Sequence, residues 1–599
     1  MNNFFISIDI PLKKNINFYK KNIHESVIKN RKIRSEYFVK DSILIISNSR
    51  ILNGYEICND LNILPKNDNE LIFHIYNKDI KLFEKINGAF SFVLIDFKKL
   101  QVIAASDYYH QRPLYYSKNK KRYIFATNID FILNKNEVDG SIDRECIYDY
   151  LITGMPMKGK TIYKNIKILP NNCIMKINSK KSKITKMSEL SMNNRIENDS
   201  ISKIKNILID TMKKQLSFTN NKVAFSLSGG LDSGSVVSIA NKINKDKQLY
   251  TYSYLYAGLD KDQRIRSNEK KFMNSVIKNN NVIPKFFTFK NHGSLNIINE
   301  LTDFNEPVIG VNLYANIAVF KDLKKKKIRY LFEGMGGDNT ISHGTAFFYE
   351  LGKSLKVFKL FREYKQYCDR RNISFGYLKC IKDYILLPYF PIISKIKNIF
   401  FNSNPTDYFN INIFLKDDKQ FNISKRFKKV VGYYRKNIDF YSHKVSELEN
   451  IGANDGFEAY SNRLNFLIAN RYNVESFDPF YNKMTKSFCI NVPQNMKMSN
   501  GIDRYYFREA MKDIIPQAIY ERVWKGDMSG VFINELCTMD LNKIEELLFK
   551  KDHFFNELID RRKLKYLYKR MKENKDIKIG LILFKLVYMS LWLKKRNFK

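Results

Sequence analysis

The 599-residue sequence has few cysteines and no long uncharged segment, and both absences exclude classes of protein. Its most apolar stretches, Tyr384–Ile393 and Ile579–Leu593, fall short of the ~20 uncharged residues of a spanning helix. The N-terminus lacks the basic flank of a signal peptide. No Cys-x-x-Cys pair occurs, which excludes a cysteine-based zinc finger and is typical of a reducing compartment; the cysteines are Cys58, Cys146, Cys173, Cys368, Cys380, Cys489 and Cys537. We therefore expect a cytoplasmic protein without a membrane partner.

Acidic residues are scarce relative to basic ones. The sequence has 102 Lys and Arg against 61 Asp and Glu, a formal net charge of +41, which is common among proteins that bind nucleic acid. However, the lysines are spread along the whole length in short runs such as Lys324–Lys327 and form no dense basic arm. We therefore assign the charge to background composition and solvated faces and expect no nucleic-acid partner. A polyanion or an acidic peptide remains the alternative partner.

The length of the chain predicts two or three domains. Residues 1–185 carry short alternating runs of the β type, and residues 186–200 are a polar stretch that we interpret as a linker. In residues 201–599, strands alternate with helical patterns, which is typical of a parallel sheet wound with helices. Helical periodicity prevails over 347–599, which we interpret as a helical extension. The predicted fold class is therefore α/β.

One turn in the third segment has the composition of a phosphate-binding loop. An apolar run ends in Ser228-Gly229-Gly230-Leu231-Asp232-Ser233, and a helical pattern follows. Such a turn directs backbone N–H groups and a helix N-terminus at an anion, and its glycines let phosphate oxygens approach the backbone. The spacing is not Gly-x-x-x-x-Gly-Lys, so a Walker-type loop is excluded. The alternative is an ordinary glycine turn between a strand and a helix.

A second strand also ends in glycines and an acid, in Glu333-Gly334-Met335-Gly336-Gly337-Asp338. Because neighbouring parallel strands end in one crevice, we expect Asp338 to meet Asp232 around a metal ion. Both acids then face the same bound nucleotide.

These turns resemble those of the asparagine synthetase family. The first resembles the pyrophosphate loop of the ATP pyrophosphatases, and Gly334–Asp338 resembles the family's second signature turn. Glu475–Asn482 is similar to the family's Glu-x-x-x-Pro-Phe-x-Asp element, with Asn482 in place of the last acid, and Arg508–Ala510 followed by Lys525 is similar to its helix and downstream lysine.

The first 185 residues resemble the glutamine-amidotransferase domain of the same family, over Ile86–Asp96, Ala104–Tyr116 and Thr161–Pro170. The resemblance therefore covers nearly the whole chain. It implies an N-terminal Ntn-type αββα sandwich, followed by a parallel-sheet, adenine nucleotide α-hydrolase-like (PP-loop) domain with a large helical C-terminal part.

Two departures separate this sequence from the family's pattern. Glutamine hydrolysis in this domain class requires a cysteine as residue 1, whereas Met1 is followed by Asn2 and Asn3, so we expect no glutaminase activity. Met335 stands where asparagine synthetase carries a glutamate and β-lactam synthetase a tyrosine, and methionine can neither accept a proton nor orient ammonium. Both departures favour the branch in which an amine of the substrate is the nucleophile, which includes β-lactam synthetases and the macrolactam cyclases of lasso peptides.

The resemblance implies that a carboxylate attacks the α-phosphorus of ATP and that an amine then attacks the acyl adenylate. Asp232 and Asp338 are the candidate ligands of Mg²⁺, Lys525 is the candidate catalytic cation, and Glu475 is the candidate base. The alternative role for Glu475 is that of a structural carboxylate paired with an arginine, and His343 could then serve as the base. The alternative for Lys525 is a solvated surface lysine. The residues expected to bind ATP and pyrophosphate are Leu227, Ser228, Gly229, Gly230, Asp232, Ser233, Gly334, Gly336 and Gly337.

We therefore expect an ATP-dependent amide ligase that forms AMP and pyrophosphate from a carboxylate and an amine substrate. The favoured substrate is a precursor peptide that is closed into a lasso-type macrolactam, with a companion protease as a partner. Asparagine synthesis from free ammonia, a tRNA-modifying PP-loop ATPase and a non-catalytic scaffold are the alternatives. The sequence leaves the oligomeric state open.

Overall fold

The computed structural model of the chain describes residues 3–12, 16–17, 19, 37–135, 137–187, 190, 199–244, 246–257, 269–290, 292–389, 457–526, 528–549 and 559–597. Three sequence predictions fall partly outside these residues. They concern the start of the chain, at residues 1 and 2, the linker, of which residues 188, 189 and 191–198 lie outside the described residues, and the helical extension 347–599, of which residues 390–456, 527, 550–558 and 598–599 lie outside them.

The N-terminal part contains two antiparallel sheets with a shared apolar core. Their strand orders are β1-β7-β6-β8 and β10-β9-β5-β4-β3-β2. Alternate residues of β1 point to opposite faces, so that Ile6 and Ile8 enter the core between the sheets while Phe5 packs on the outer side. The strands of this part are β1 Phe5–Asp9, β2 Tyr37–Lys40, β3 Ile43–Ile51, β4 Gly88–Asp96, β5 Gln101–Ser106, β6 Tyr115–Asn119, β7 Arg122–Ala126, β8 Ile166–Ile168, β9 Cys173–Ile177 and β10 Ser182–Lys186.

Helices cover the outer faces of both sheets. Gly54–Leu61 and Asp68–Lys78 pack on the six-stranded sheet, whereas Asp130–Leu133 and Arg144–Thr153 pack on the four-stranded sheet; a short 3₁₀ helix spans Ile80–Lys85. The resulting layers, helix–sheet–sheet–helix, confirm the predicted N-terminal fold.

The second part is built on a parallel sheet with the strand order β13-β12-β11-β14-β15. Phe225, Phe332 and Phe477 stack side by side across three of its strands, with ring centroids 5.2 and 5.0 Å apart. Because β11 and β14 are hydrogen-bonded neighbours, the turns that follow them lie side by side. The strands are β11 Lys222–Ser226, β12 Gln248–Tyr256, β13 Ile283–Phe289, β14 Tyr330–Phe332 and β15 Glu475–Phe477, and a separate hairpin pairs β16 Met498–Ser499 with β17 Ile502–Asp503.

Helices cover both faces of this sheet, which confirms the predicted wound architecture. The α-helices are Ser200–Ser217, Leu231–Ile243, Lys270–Asn279, Ile298–Thr302, Leu313–Lys325, Gly337–Ile341, Ala346–Lys353, Val357–Arg370, Tyr377–Ile381, Leu387–Tyr389, Phe457–Arg471, Lys483–Asn491, Gln494–Lys497, Tyr505–Met511, Gln517–Glu521, Ser529–Thr538, Leu541–Phe549, Arg561–Asn574 and Ile577–Lys594, with a 3₁₀ helix at Ser294–Ile297 and a π-helix at Lys382–Leu386. The segment 347–599, which the sequence predicts to be a helical extension, is mainly helical where the structure describes it, and it also supplies the short strands β15, β16 and β17. Strands of two or three residues are too short to show a strand period in the sequence.

The helix Ile577–Lys594 joins the two parts. Its apolar side chains belong to the same core as those of Arg144–Thr153 from the N-terminal part. Lys585 Nζ donates a hydrogen bond to the carbonyl oxygen of Leu151 at 3.2 Å, and burial lowers the pKa of Lys585 to about 8. Within the described ranges, none of the helices has the length and apolarity needed to cross a membrane.

Candidate active site

The turn after β11 has the shape that the sequence predicts for a phosphate loop. Gly229 has a φ of +80°, and a Cβ atom there would approach the carbonyl oxygen of Glu269 to 3.0 Å. The hydroxyl oxygens of Ser228 and Ser233 are 2.9 Å apart, and the backbone N–H of Ser228 donates to Ser233 Oγ at 3.2 Å. The helix Leu231–Ile243 begins directly after the turn, so its first N–H groups point at the space where an anion would lie.

Leu227, one of the residues predicted to bind ATP, contributes to the loop through its backbone. Its side chain is 1% exposed and belongs to the core between the sheet and its helices. Its backbone N–H donates to the carbonyl oxygen of Tyr252 at 2.8 Å, and its own carbonyl oxygen accepts from Ser253 Oγ at 2.7 Å. Leu227 therefore anchors the loop to β12, and its role in nucleotide binding stays a prediction.

The second turn is in contact with the first. A Cβ atom on Gly334 would lie 2.8 Å from the backbone nitrogen of Ser233, and one on Gly337 would lie 2.6 Å from Asp232 Oδ1. Gly336 has a φ of +80°, and the Tyr481 ring occupies the position of its missing side chain. Larger residues are therefore excluded at these glycines, and the two turns form one continuous surface at the carboxyl end of the sheet.

The two acids that were predicted to share a metal ion converge on one guanidinium group. Arg504 Nη1 donates to the two carboxylate oxygens of Asp232 at 2.9 and 3.0 Å and to Asp338 Oδ1 at 2.9 Å. Arg504 itself is 6% exposed and has a left-handed φ of +53°. The structure thus brings the two acids together, as the predicted pairing of their strands requires.

The electrostatics of this pair fit a cation site. Burial raises the pKa of Asp232, Arg504 opposes that rise, and the Asp338 carboxylate adds to it. Burial acts on Asp338 in the same direction, but Arg504 and Lys525 outweigh it and lower the pKa of Asp338 below its ordinary value. Among the described residues, no cluster of three or more His, Cys, Asp or Glu side chains could hold a metal by itself. Mg²⁺ is usually bound by one or two carboxylates together with substrate phosphates, so Asp232 and Asp338 fit a metal ion that arrives with a nucleotide.

Lys525 reaches the same place from the C-terminal part of the chain. Its Nζ forms an ion pair with Asp338 Oδ2, although 70% of the side chain is exposed. His343 is also close, with Nε2 3.6 Å from Asp338 Oδ1 and Nδ1 3.2 Å from Asp503 Oδ2. The Lys525 ammonium group therefore lies at the open side of the acid pair, where it can contact a bound nucleotide.

Glu475 lies elsewhere. It is the first residue of β15 and pairs with Tyr330, at the start of β14. Its carboxylate forms ion pairs with Arg112 and, at 3.2 Å, with Arg50, which both belong to the N-terminal part. Burial would raise the pKa of Glu475, but Arg112 and Arg50 outweigh this effect and lower it. The structure therefore matches the alternative of a carboxylate paired with arginine, and a role for Glu475 as a base stays a prediction.

Three residues of the site were missed by the sequence analysis. Glu333 and Asp478 directly follow β14 and β15, and the rule that identified Asp338, a polar residue at the end of a parallel strand, applies to both of them. Arg504 belongs to no motif recognised in the sequence. The one available signal was its spacing of four residues from Arg508, which is typical of side chains on one face of a helix, although the structure makes Arg504 the N-cap of the helix Tyr505–Met511.

Comparison with known families accounts for both parts of the chain. Residues 203–384 and 468–594 match the family described as asparagine synthase, and they include β11–β15, both turns and Lys525. Residues 37–188 match the family described as glutamine amidotransferase domain, and they include β2–β10.

Curated relatives are similar over part of their length. The putative asparagine synthetase [glutamine-hydrolyzing] 2 of Methanocaldococcus jannaschii is 23% identical over 51% of this chain and 59% of its own. Asparagine synthetase [glutamine-hydrolyzing] 3 of Bacillus subtilis is 24% identical over 37% of this chain and 38% of its own. The amidase chyE of Penicillium rubens is 23% identical over 31% of this chain and 28% of its own. The chain thus spans between about a quarter and three fifths of the length of these relatives.

The solved structure of glutamine phosphoribosylpyrophosphate amidotransferase from B. subtilis aligns with 43% of this chain and 63% of its own, at 11% identity and a TM-score of 0.19. A similarity of this size supports no argument.

Proposed function

We propose a function from the premise that this chain belongs to the asparagine synthetase family. The proposed activity is ATP-dependent formation of an amide bond by way of an acyl adenylate, with release of pyrophosphate and then AMP. The observation that carries this proposal is the convergence of Asp232 and Asp338 on a single cation, at the ends of neighbouring strands and in contact with the loop Ser228–Ser233.

Each part of the site has a role in this reaction. The N–H groups and hydroxyls of the loop Ser228–Ser233 bind the departing pyrophosphate. Asp232 and Asp338 would hold Mg²⁺, which would offset negative charge on the phosphates. The exposed ammonium group of Lys525 stabilises the charge that develops during adenylation and during attack by the amine, a role typically worth several kcal/mol.

For the nucleophile, we propose an amine carried by a peptide, as in a lasso-type macrolactam cyclase with a companion protease. Met335 supports this proposal, because its side chain packs with Tyr109 and Tyr481 and the turn thus presents an apolar group at the position where asparagine synthetase carries an acid. Asparagine synthesis from ammonia is the second candidate, and the names of the two asparagine synthetases among the relatives favour it. A reducing, cytoplasmic location is supported by the seven cysteines, which are all free.

Incubation of the protein with ATP and Mg²⁺ tests these proposals. Aspartate with ammonium chloride is one substrate set, and a candidate precursor peptide is the other; AMP is measured by chromatography and products by mass spectrometry. A peptide that loses the mass of one water, only with ATP, supports the cyclase, whereas asparagine supports the second candidate. Lys525→Ala should abolish both products, and the exposed Lys572→Ala is the matched control. Release of ADP instead of AMP would contradict adenylation.

A further inference from the structure

A small cavity lies between the two parts of the chain, next to the second turn. Arg112 of the N-terminal part and Asn462, Ser476 and Asp478 of the second part line it. It has room for a molecule of about the size of water or ammonium.

Two residues that line the cavity each carry a buried oxygen atom without a hydrogen-bond donor. Asp478 Oδ1 and Asn462 Oδ1 make no hydrogen bond within the described part of the chain, although these residues are only 5% and 4% exposed. The Asn462 amide is oriented by its Nδ2, which donates to the carbonyl oxygen of Tyr109 at 2.9 Å. An unsatisfied buried acceptor costs about 1–3 kcal/mol, so a ligand with several N–H groups is the chemistry that matches this wall.

The charge of the wall also favours a cation. Glu333, at the end of the neighbouring strand, accepts hydrogen bonds from Asn465 Nδ2 at 2.7 Å and Ser476 Oγ at 2.9 Å. Burial and the Glu333 carboxylate raise the pKa of Asp478 well above its ordinary value, and burial raises the pKa of Glu333. Two acids that are buried near each other are stabilised by a cation or a proton. A protonated amine is a cation and can also donate a proton to one of the acids.

The positive charge of Arg112 in the same cavity has its own counterion. Its guanidinium forms an ion pair with Glu475, which also binds Arg50. The Arg50 side chain is 25% exposed, so solvent screens its charge. The acid that lines the cavity without an arginine partner is therefore Asp478, and Glu333 lies behind Asn465 and Ser476 of the wall.

The cavity adjoins the proposed nucleotide site through Met335. The backbone N–H of Met335 acts on the Asp478 carboxylate and lowers its pKa, against the rise that burial causes, and Met335 lies between two glycines that form the second turn. Gly334 in turn contacts the backbone of Ser233 in the phosphate loop. The second turn, through Met335 and Gly334, therefore connects the cavity at Asp478 to the phosphate loop Ser228–Ser233.

We propose that this cavity is the amine subsite and that it binds a primary ammonium group, either ammonium itself or the end of a longer amine. This assignment rests on the proposed function. Asp478 and Asn462 accept the N–H hydrogen bonds, and Asp478 takes one proton to leave the neutral amine. The nitrogen lone pair then forms the C–N bond, the C–O bond to the phosphate breaks with its electron pair going to AMP, and the second proton passes to the released phosphate oxygen.

Equilibrium dialysis of the full chain against ¹⁵N-ammonium, without ATP or a carboxylate substrate, tests the subsite. We expect saturable binding that Asp478→Asn weakens at least tenfold. Glu535→Gln is the matched control because it removes another buried acid, whose pKa burial raises to about 7. Glu333→Gln is a second variant and should also weaken binding. Circular dichroism checks that each variant is folded.

Competition on the wild-type chain makes the test independent of any variant. Tetramethylammonium has no N–H group and should not compete. Competition by methylammonium identifies a substrate-borne amine, and its failure to compete identifies ammonia. Absence of saturable binding, equal binding by wild type and a folded Asp478→Asn variant, or competition by tetramethylammonium would overturn the proposal. Because no ATP is present, a failure to release AMP in the ligase assay is a separate outcome.

Discussion

Replacement of Arg504 by methionine tests whether Asp232 and Asp338 form one cation site. The substitution removes the guanidinium that holds both carboxylates and leaves two neighbouring negative charges that are 15% and 26% exposed. Removal of one partner from a buried ion pair typically lowers the free energy of unfolding by about 3–5 kcal/mol. Because the two carboxylates are partly exposed, we expect a loss at the lower end of this range, about 3 kcal/mol. One kcal/mol shifts Tm by about 2–4 °C for ~200 residues and by less in larger units. We therefore expect a fall in Tm of about 5 °C.

Differential scanning fluorimetry with and without millimolar MgCl₂ measures this effect. Mg²⁺ should recover much of the lost Tm in Arg504→Met, since the ion can occupy the space between the carboxylates, and should shift the wild type little. Arg463→Met is the control, because Arg463 is also buried and pairs with a buried acid, Glu306 at 3.3 Å, outside the site. This control should lose stability without recovery by Mg²⁺.

Two results would refute the reasoning. One is an Arg504→Met variant as stable as the wild type, and the other is equal stabilisation of both arginine variants by Mg²⁺. Addition of Asp338→Asn to Arg504→Met should abolish the recovery, because a single carboxylate remains.

Three further predictions concern other residues. Lys525→Ala should still bind ATP, as measured by dialysis, while amide formation falls by several orders of magnitude; near-normal turnover would remove Lys525 from the mechanism. Gly337→Ala places a Cβ atom 2.6 Å from Asp232 Oδ1 and should abolish AMP release with little change in circular dichroism, whereas unchanged AMP release would show that the contact between the turns tolerates a methyl group. The pKa of Lys585 is about 8 in the folded chain against an ordinary 10.5, so the unfolded chain binds more protons between these values and the free energy of unfolding should rise with pH there. Lys585→Met should remove that rise and stabilise the protein by at most about 3 kcal/mol at pH 7, as urea denaturation at pH 7 and 9.5 would show; a pH dependence like that of the wild type would contradict the assignment.

The parts of the site that follow from local chain geometry could be predicted from the sequence. Gly229 and Gly336 have the positive φ that a turn of this kind needs, and such positions are visible as glycines. Asp232 and Asp338 each follow an apolar run, and parallel strands that are neighbours place such residues together.

The parts that depend on distant side chains could not be predicted. Glu475 is held by Arg112, 363 residues away in the chain, and no local pattern encodes such a pair. Arg504, the N-cap of the helix Tyr505–Met511, lies 166 residues after Asp338 in the chain. In a chain with 102 Lys and Arg, composition gives no reason to single out one arginine.

The ion pairs of Arg112 and Arg50 with Glu475 constrain how this protein can evolve. A lineage that dispensed with all chemistry of its amidotransferase-like half would still have to keep these arginines, because a buried carboxylate in the other half depends on them. Positions 50, 112 and 475 should therefore covary among homologues. A chimera whose first 185 residues come from a relative should therefore need arginine at positions 50 and 112 to keep its second half stable.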